Sequence, residues 1–412
     1  MVYVNPARLD PGSLGARAEK MIKALAPMSA GPDRLVRLFL SYEHRRAADL
    51  TAQWMRDAGM LVTEDALGTL RGRVGQGPRL LIGSHLDSVV DGGNYDGPLG
   101  VIAGILAVAH FGGKPPLPID VLAFGDEEGS RFPSTLSSSA ACVGAFEPDT
   151  LKLADRDGIT FADALKAYGK NAGDIPKAAY QRDDVKAYVE VHIEQGPLLE
   201  AEDQALGVVT GIVGQSRFRV TVTGEAGHAG TVPMTMRRDA LAGAAAMILM
   251  VERVAKANAA GGMVATVGRI EASPGATNII PGTAAFTIDL RAMSDKARHA
   301  AIATIQHEAR GIAKTRNLTV IFEPFHDVEA TPCDEKLQDK LAAAIGELGG
   351  RDIRMPSGAG HDAQMMARLC PSSMMFVRCR RGVSHNPAEY CSPADMGMAV
   401  AALIGFIERF EL

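Results

Sequence analysis

The stretch LLIGSHLDSVVDGGNYDGPLGV, residues 80–101, decides the fold class. It opens with the compact apolar run Leu80-Leu81-Ile82-Gly83 and turns polar at Ser84-His85-Leu86-Asp87. Such a run suits a strand covered on both faces, as strands of parallel sheets are. The glycine-rich loop Gly92-Gly93-Asn94-Tyr95-Asp96-Gly97 follows, and the apolar segment Gly97–Ala109 predicts a helix. Strand, loop and helix in that order are the repeating unit of a parallel α/β sheet, whose sites gather at the carboxyl ends of the strands. His85, Asp87 and Asp96 stand at that end.

Working outward, residues 34–59 read as a helix, with Leu50 and Trp54 one turn apart and Gly59 as its stop. A short meander over Leu61–Val74 turns at Gly68. Ile119–Phe124 is a second buried strand ending in Asp126-Glu127-Glu128. Tyr188–Ile193 is a third; it carries His192 and leads into Glu194-Gln195-Gly196-Pro197. The pattern then changes. Phe218, Val220 and Val222 alternate with Arg219, Thr221 and Thr223, which is a strand with one wet face. A helix over Asp239–Ala257, strands over Met263–Ile270 and Ala285–Arg291, a helix over Ala297–Lys314 and a strand over Leu318–Phe322 complete a ferredoxin-like order. The α/β character resumes with a helix over 335–348, a strand over Ser373–Arg378 and a helix over Pro393–Phe410. The expected architecture is α/β: a mostly parallel sheet domain, residues 1–211 and 327–412, interrupted by an inserted ferredoxin-like α+β domain, residues 212–326.

The bulk numbers fit that picture. At 412 residues, two domains are the natural division. A formal net charge of −5 with no basic block points away from nucleic acid and from a membrane surface. The opening MVYVNPARLDPG lacks the basic start and apolar stretch of a leader, and the apolar run Val101–Ala109 is too short to span a bilayer. Cys142, Cys333, Cys370, Cys379 and Cys391 are scattered and lack CxxC spacing, so they read as buried reduced thiols of a cytoplasmic protein.

The chemistry-bearing residues are individually ambiguous. In His85-Leu86-Asp87 both polar side chains point the same way along an extended chain, so Asp87 can orient the imidazole. Asp96 before Gly97 is by itself an ordinary turn residue. Glu127 and Glu128 are more telling, because adjacent carboxylates at the end of an apolar strand repel each other and a cation relieves that cost. His192 alone could be a satisfied core histidine, and His385, in Gly382-Val383-Ser384-His385-Asn386-Pro387, a loop histidine. Together they supply the nitrogen and oxygen ligands that suit zinc or manganese, and no thiolate. The set exceeds what one catalytic ion needs; a carboxylate bridging two ions uses all of it.

The segments GSHLDSVVDGGNYDGPLGV, GDEEGSRFPSTL, VHIEQGPLLE, GHAGTVPMTMRRDAL, ATNIIPG, FTIDLRA, SGAGHDA and GVSHNPAE run in order through nearly the whole chain. Jointly they resemble the aminoacylase/carboxypeptidase superfamily of dinuclear metallohydrolases, and within it the hydantoinase/carbamoylase branch. The resemblance implies two divalent ions per subunit, zinc or manganese, with cobalt or nickel also accepted. It implies His85, Asp96, Glu128, His192 and His385 as ligands with Asp96 bridging, and Glu127 as general base and later acid. Asp87 would support His85. The inserted domain would contribute His228, Asn278 and Arg291 and form a homodimer in which some of these residues reach the partner's site. Gln195, Gly360 and His361 would lie near substrate or metal.

The implied reaction is hydrolysis of a ureido (N-carbamoyl) amide on a small carboxylate. Allantoate is the favoured substrate, on the RFPSTL segment and the EHRRAA…WMRDAGM helix. An N-carbamoyl-L-amino acid, including N-carbamoyl-β-alanine, is the alternative, followed by an N-acyl amino acid or dipeptide and, more remotely, a metal-free binding role. Arg291 shares the polar strand face of Thr287 and Asp289 and can grip a carboxylate bidentately. His228, in a glycine-flanked turn, can donate to a developing oxyanion. Ser138-Ser139 and Gly68-Thr69 depart from the pattern usual in the family; the first is expected to alter the wall of the substrate pocket.

Overall fold

The computed structural model describes residues 9–31 and 33–410. Met1–Arg8, which carry most of the stretch read above as lacking a leader, lie outside the described residues. The chain divides into two compact units. One runs to Thr210 and resumes at Cys333; the other is Gly211–Pro332.

In the first unit the strands lie in the order Leu61–Glu64, Leu70–Val74, Ile119–Phe124, Arg79–His85, Val185–Ile193, Ser372–Val377 and Leu206–Ile212, with Arg354–Ser357 also on Leu206–Ile212. The four central strands are mutually parallel. Leu61–Glu64 and Leu70–Val74 run antiparallel on one flank, and Leu206–Ile212 antiparallel on the other. The sheet is therefore mixed, with its parallel part at the centre, where a mostly parallel sheet was expected. The reason is connection length: a short turn at Gly68, which has φ +80°, can only reverse the chain, whereas a parallel pair needs a crossover. Every residue of Arg79–His85 and Ile119–Phe124 is buried, as their continuous apolar runs require.

Helices cover this sheet. Pro98–His110 packs on Arg79–His85 and starts, as expected, just beyond Asp96. The helix expected over residues 34–59 is shorter, Tyr42–Asp57. Ser41 caps it by accepting from the His44 amide at 3.1 Å. The preceding residues are committed elsewhere: the Ser88 and Gly92 amides donate to the carbonyls of Arg37 and Leu35. A helix not anticipated from the sequence, Pro11–Leu25, buries Leu14, Ala18, Ile22 and Leu25 at helical spacing. It meets the helix Pro393–Arg409 at backbone contact. A Cβ on Gly15 would lie 1.8 Å from the Pro393 carbonyl oxygen, and one on Gly397 would lie 1.9 Å from that of Pro11.

The second unit is an antiparallel sheet ordered Ile270–Ser273, Thr283–Ala292, Gly214–Thr223 and Thr319–Val328, with Val264–Thr266 also on Thr283–Ala292. Burial along Thr283–Ala292 alternates strictly, and Phe286, Ile288 and Leu290 face a core with the helices Ala240–Ala257 and Asp295–Thr315. The strand expected over Leu318–Phe322 runs on to Val328, so the chain leaves this unit later than expected. No helix among the described residues is long and apolar enough to cross a membrane. All five cysteines are free and buried.

Candidate metal centre

Parallel strands end where His85, Glu127-Glu128 and His192 emerge, and two loops bring Asp96 and His385 to them. Asp96 is the hub. His192 Nε2 lies 3.2 Å from Asp96 Oδ1, and His385 Nε2 lies 3.2 Å from Asp96 Oδ2. His85 Nε2 stands 4.0 Å from Asp96 Oδ1 and 3.9 Å from Glu127 Oε2. His385 Nε2 is also 3.4 Å from Glu128 Oε2. Ligand atoms of His85, Asp96 and His192 form one cluster within 4.8 Å of one another, and those of Asp96, Glu128 and His385 form a second. Asp96 belongs to both.

The local backbone serves this geometry. Gly97 has φ +84°, and a Cβ there would lie 2.5 Å from the His85 ring, so neither the turn nor the close approach tolerates a side chain. Asp126 (φ +61°), Gln195 (φ +56°) and His385 (φ +53°) adopt left-handed backbone beside the site, a strain that local hydrogen bonds must hold.

Asp87 faces His85 with two groups. Its backbone carbonyl lies 3.0 Å from His85 Nδ1 and its Oδ1 3.6 Å from the same atom, while its carboxylate oxygens also accept from the Glu127 and Glu128 amides at 3.4 and 3.3 Å. His192 Nδ1 likewise faces the Ile193 carbonyl at 3.0 Å. In both histidines Nε2 is thereby left toward the cluster.

Electrostatics mark the site as one built around positive charge. Burial raises the Glu127 carboxyl well above the usual range, helped by Glu128, and burial with Asp96 lifts Glu128 to about 8. Burial opposes ionisation of Asp96 too, but His192, His385 and His85 outweigh it and hold its carboxyl well below the usual range. His192 rises to about 9, burial being overcome by Asp96 and Glu190; His385, bonded to Asp96, also rises to about 9. Burial lowers His85 to about 4. The residues fit a divalent cation on a further observation: His192 Nε2 and Glu128 Oε1 are buried and, among the described residues, neither makes a hydrogen bond of proper geometry, a costly state for two ligand-type atoms unless something coordinates them.

Glu389 and Ser384, not singled out from the sequence, brace the centre alongside residues that were. Glu389 Oε1 accepts from the Tyr95 and Asp96 amides at 2.9 and 3.2 Å, and its Oε2 accepts from Ser384 Oγ at 2.9 Å. Ser384 Oγ and Gln195 Nε2 also reach Asp96 Oδ2, at 3.1 and 3.0 Å. A Cβ on Gly93 would lie 2.2 Å from the Glu389 carboxyl, which explains that glycine. Asn386-Pro387-Ala388-Glu389 was visible in sequence, but nothing in it announced a partner nearly three hundred residues away. His361 packs edge-on against His192 with ring centroids 4.5 Å apart, and Gly360 is half-buried beside it. Ser138 and Ser139 are fully buried: Ser138 Oγ accepts from the Gly125 amide, and Ser139 Oγ donates to the Leu136 carbonyl. The Ser138 bond ties this segment to the end of the strand that leads to Glu127.

In the second unit, His228 and Ile279 are cross-strand partners in a short ladder, which sets Asn278 beside His228. Both His228 and Asn278 are exposed. His228 Nδ1 accepts from the Gly230 amide at 3.0 Å, so the ring proton sits on Nε2. Arg291 lies on the half-buried face, and its guanidinium grips Asp289 through Nε and Nη2, each at 2.9 Å.

Histidines and carboxylates gathered at the carboxyl ends of parallel strands define a metal-dependent hydrolase. The chain belongs to the peptidase family M20/M25/M40, whose model matches residues 81–409. It is similar to an allantoate deiminase of Arabidopsis thaliana, 40% identical over 97% of this chain and 83% of the relative. It is also similar to an N-carbamoyl-L-amino acid amidohydrolase of Geobacillus stearothermophilus, 41% identical over 90% of this chain and 91% of the relative. A solved hydantoinase/carbamoylase family amidase from Burkholderia multivorans superposes with TM-score 0.90 at 33% identity, covering 95% of this chain and 97% of that one. The chain is accordingly an amidohydrolase acting on carbon–nitrogen bonds other than peptide bonds, of a family that uses divalent metals.

Proposed function

We propose that this protein is a two-metal allantoate amidohydrolase. His85, Asp96 and His192 would hold one ion and Glu128 and His385 the other, with Asp96 shared. The observation that carries the dinuclear reading is Asp96, which offers one oxygen to His192 and the other to His385, each at 3.2 Å. Zinc and manganese suit these ligands best, with cobalt and nickel also accommodated. When bound, two such ions lower the pKa of a water toward neutrality and polarise the carbonyl under attack.

The chain's own residues do the rest. Glu127 takes a proton from the attacking water and returns one to the leaving nitrogen; such proton transfer typically contributes about 10²–10⁴-fold. Water oxygen bonds to the carbamoyl carbon, the carbon–nitrogen bonds break, and ammonia, carbon dioxide and an amine result. His228, with its proton on Nε2, donates to the oxyanion. Arg291 and Asn278 bind the substrate carboxylate, which for Arg291 means exchanging Asp289 for a substrate of the same chemistry. Gln195, Gly360 and His361 lie near the substrate or the metals. The antiparallel unit is read as an inserted ferredoxin-like domain that forms a homodimer. The exposed Ile270, Ile321 and Phe325 support that reading.

Allantoate is favoured because the likeness to the Arabidopsis allantoate deiminase spans nearly the whole chain. An N-carbamoyl-L-amino acid is the second reading, on a Geobacillus relative 41% identical over 90% of this chain. Ammonia release from allantoate, N-carbamoyl-L-amino acids, N-carbamoyl-β-alanine and N-acetyl amino acids decides. The expected result is the highest kcat/KM on allantoate. Faster turnover of a carbamoyl amino acid overturns the substrate, and no ammonia from any ureido compound with manganese- or zinc-loaded enzyme overturns the reaction.

A further inference from the structure

Glu190 has no part in the reaction described above, yet it lies fully buried behind the ligands. It shares a strand face with His192, two residues on. One of its oxygens, one His192 ring nitrogen and one His361 ring nitrogen lie within 4.8 Å of one another. Its carboxylate gathers three separate pieces of chain. Oε1 accepts from Ser84 Oγ at 3.1 Å, the residue before His85. Oε2 accepts from Tyr188 Oη at 3.0 Å and from the Ala363 amide at 3.0 Å, directly after His361-Asp362. The His85 strand, the His192 strand and the His361 segment are thus tied at one carboxyl group.

We infer that Glu190 is a positioning residue for the His85/Asp96/His192 ion position, fixing the separation of the two histidine-bearing strand ends and seating His361 against the His192 ring. The inference rests on the ligand reading above. It concerns how those ligands are held and assigns Glu190 no bond to metal or substrate. Partners of this kind typically govern about 10–100-fold in metal affinity when removed. The carboxamide introduced by Glu190→Gln is a faithful replacement for the carboxylate in shape. Its oxygen can accept from Tyr188 and Ala363, and its amide can donate to Ser84 once that hydroxyl rotates.

The test is cobalt(II) titration of metal-stripped protein, followed by visible absorption, in wild type and in a His385→Ala background that isolates the His85/Asp96/His192 position. Glu190→Ala in that background is expected to weaken cobalt binding by about 10–100-fold, and Glu190→Gln to leave it near the parental value. Ser84→Ala and Tyr188→Phe, each removing one bond, should weaken it by a few-fold and stand in should Glu190→Ala fail to fold. A folded Glu190→Ala variant with unchanged cobalt affinity overturns the inference, as do unchanged Ser84→Ala and Tyr188→Phe variants. Equal weakening by Glu190→Gln and Glu190→Ala would assign the effect to the charge rather than to the hydrogen bonds and overturn it likewise. Failure of the wild type itself to bind two cobalt ions would instead overturn the ligand reading.

Discussion

Asp96 and His385 meet at 3.2 Å although one sits in the loop after the first buried strand and the other in the loop before the last helix. The same aspartate meets His192 at 3.2 Å through its other oxygen. A single carboxylate therefore joins what would otherwise be two half-sites, and the two kinds of ligand should respond differently to removal. Asp96→Ala is expected to leave less than one ion per chain by elemental analysis, and His385→Ala close to one. Two ions retained in Asp96→Ala would rule out a bridging role.

Glu127 stands on the same turn as Glu128, but only Glu128 faces His385. Glu127→Ala is expected to keep its metals and lose activity by about 10²–10⁴-fold, the usual weight of a general base. Metal content and kcat measured on one preparation separate the roles. Near-normal turnover would remove Glu127 from the mechanism.

Stripping the metals should make stability depend on pH in a definite window. His192 and His385 have folded-state values raised to about 9 from an ordinary 6.5. Their contribution is complete below about pH 6.5 and is lost as pH rises toward 9. Glu128, raised to about 8, acts in the same direction, because its ionisation on the alkaline side opposes folding. His85, lowered to about 4, acts only on the acid side. The Tm of chelator-treated protein should therefore fall between pH 6.5 and 9, and that of the metal-loaded protein should fall less. Parallel curves for the two forms would contradict this account.

Glu389 holds the Asp96 loop by two backbone amides and one hydroxyl. Hydrogen bonds to charged groups contribute about 1.5–3 kcal/mol each, without simple additivity. Glu389→Ala is expected to lose at least about 2 kcal/mol in urea unfolding and to release metal faster to a chelator. Gly97→Ala tests the same loop from the other side. Its methyl collides with the His85 ring, so metal binding should suffer even if the fold survives. Native metal retention in both variants would show the loop to be irrelevant to the centre.

Much of this was legible because the signals are local. A fully apolar run that ends in polar residues marks a buried strand, which is why the strand ends that bring His85, Glu127-Glu128 and His192 together could be located from sequence. Strict alternation located Thr283–Ala292. What was hidden depends on partners distant in sequence. Leu61–Val74 reads as a meander, but only the sheet shows that it makes one flank antiparallel. Pro11–Leu25 has the spacing of a helix, yet its two backbone-contact glycines make sense only against Pro393–Arg409. The burial of Ser138-Ser139 could not be read, because a hydroxyl pair in sequence carries no sign of it. Asp87 faces His85 Nδ1 with its carbonyl as well as its carboxylate, and the added part of the carbonyl is something residue identity cannot show.

The backbone contact between Gly15 and Gly397 has a consequence for the order in which the first unit can close. The helix Pro11–Leu25 precedes, by nearly the whole of that unit, the helix Pro393–Arg409 that covers its apolar stripe. His385 lies just ahead of that second helix, so the Asp96 loop and the helix Pro11–Leu25 both find their partners in the same distant stretch of chain. Closure of this side of the sheet and assembly of the cluster at Asp96 are therefore long-range events, not local ones.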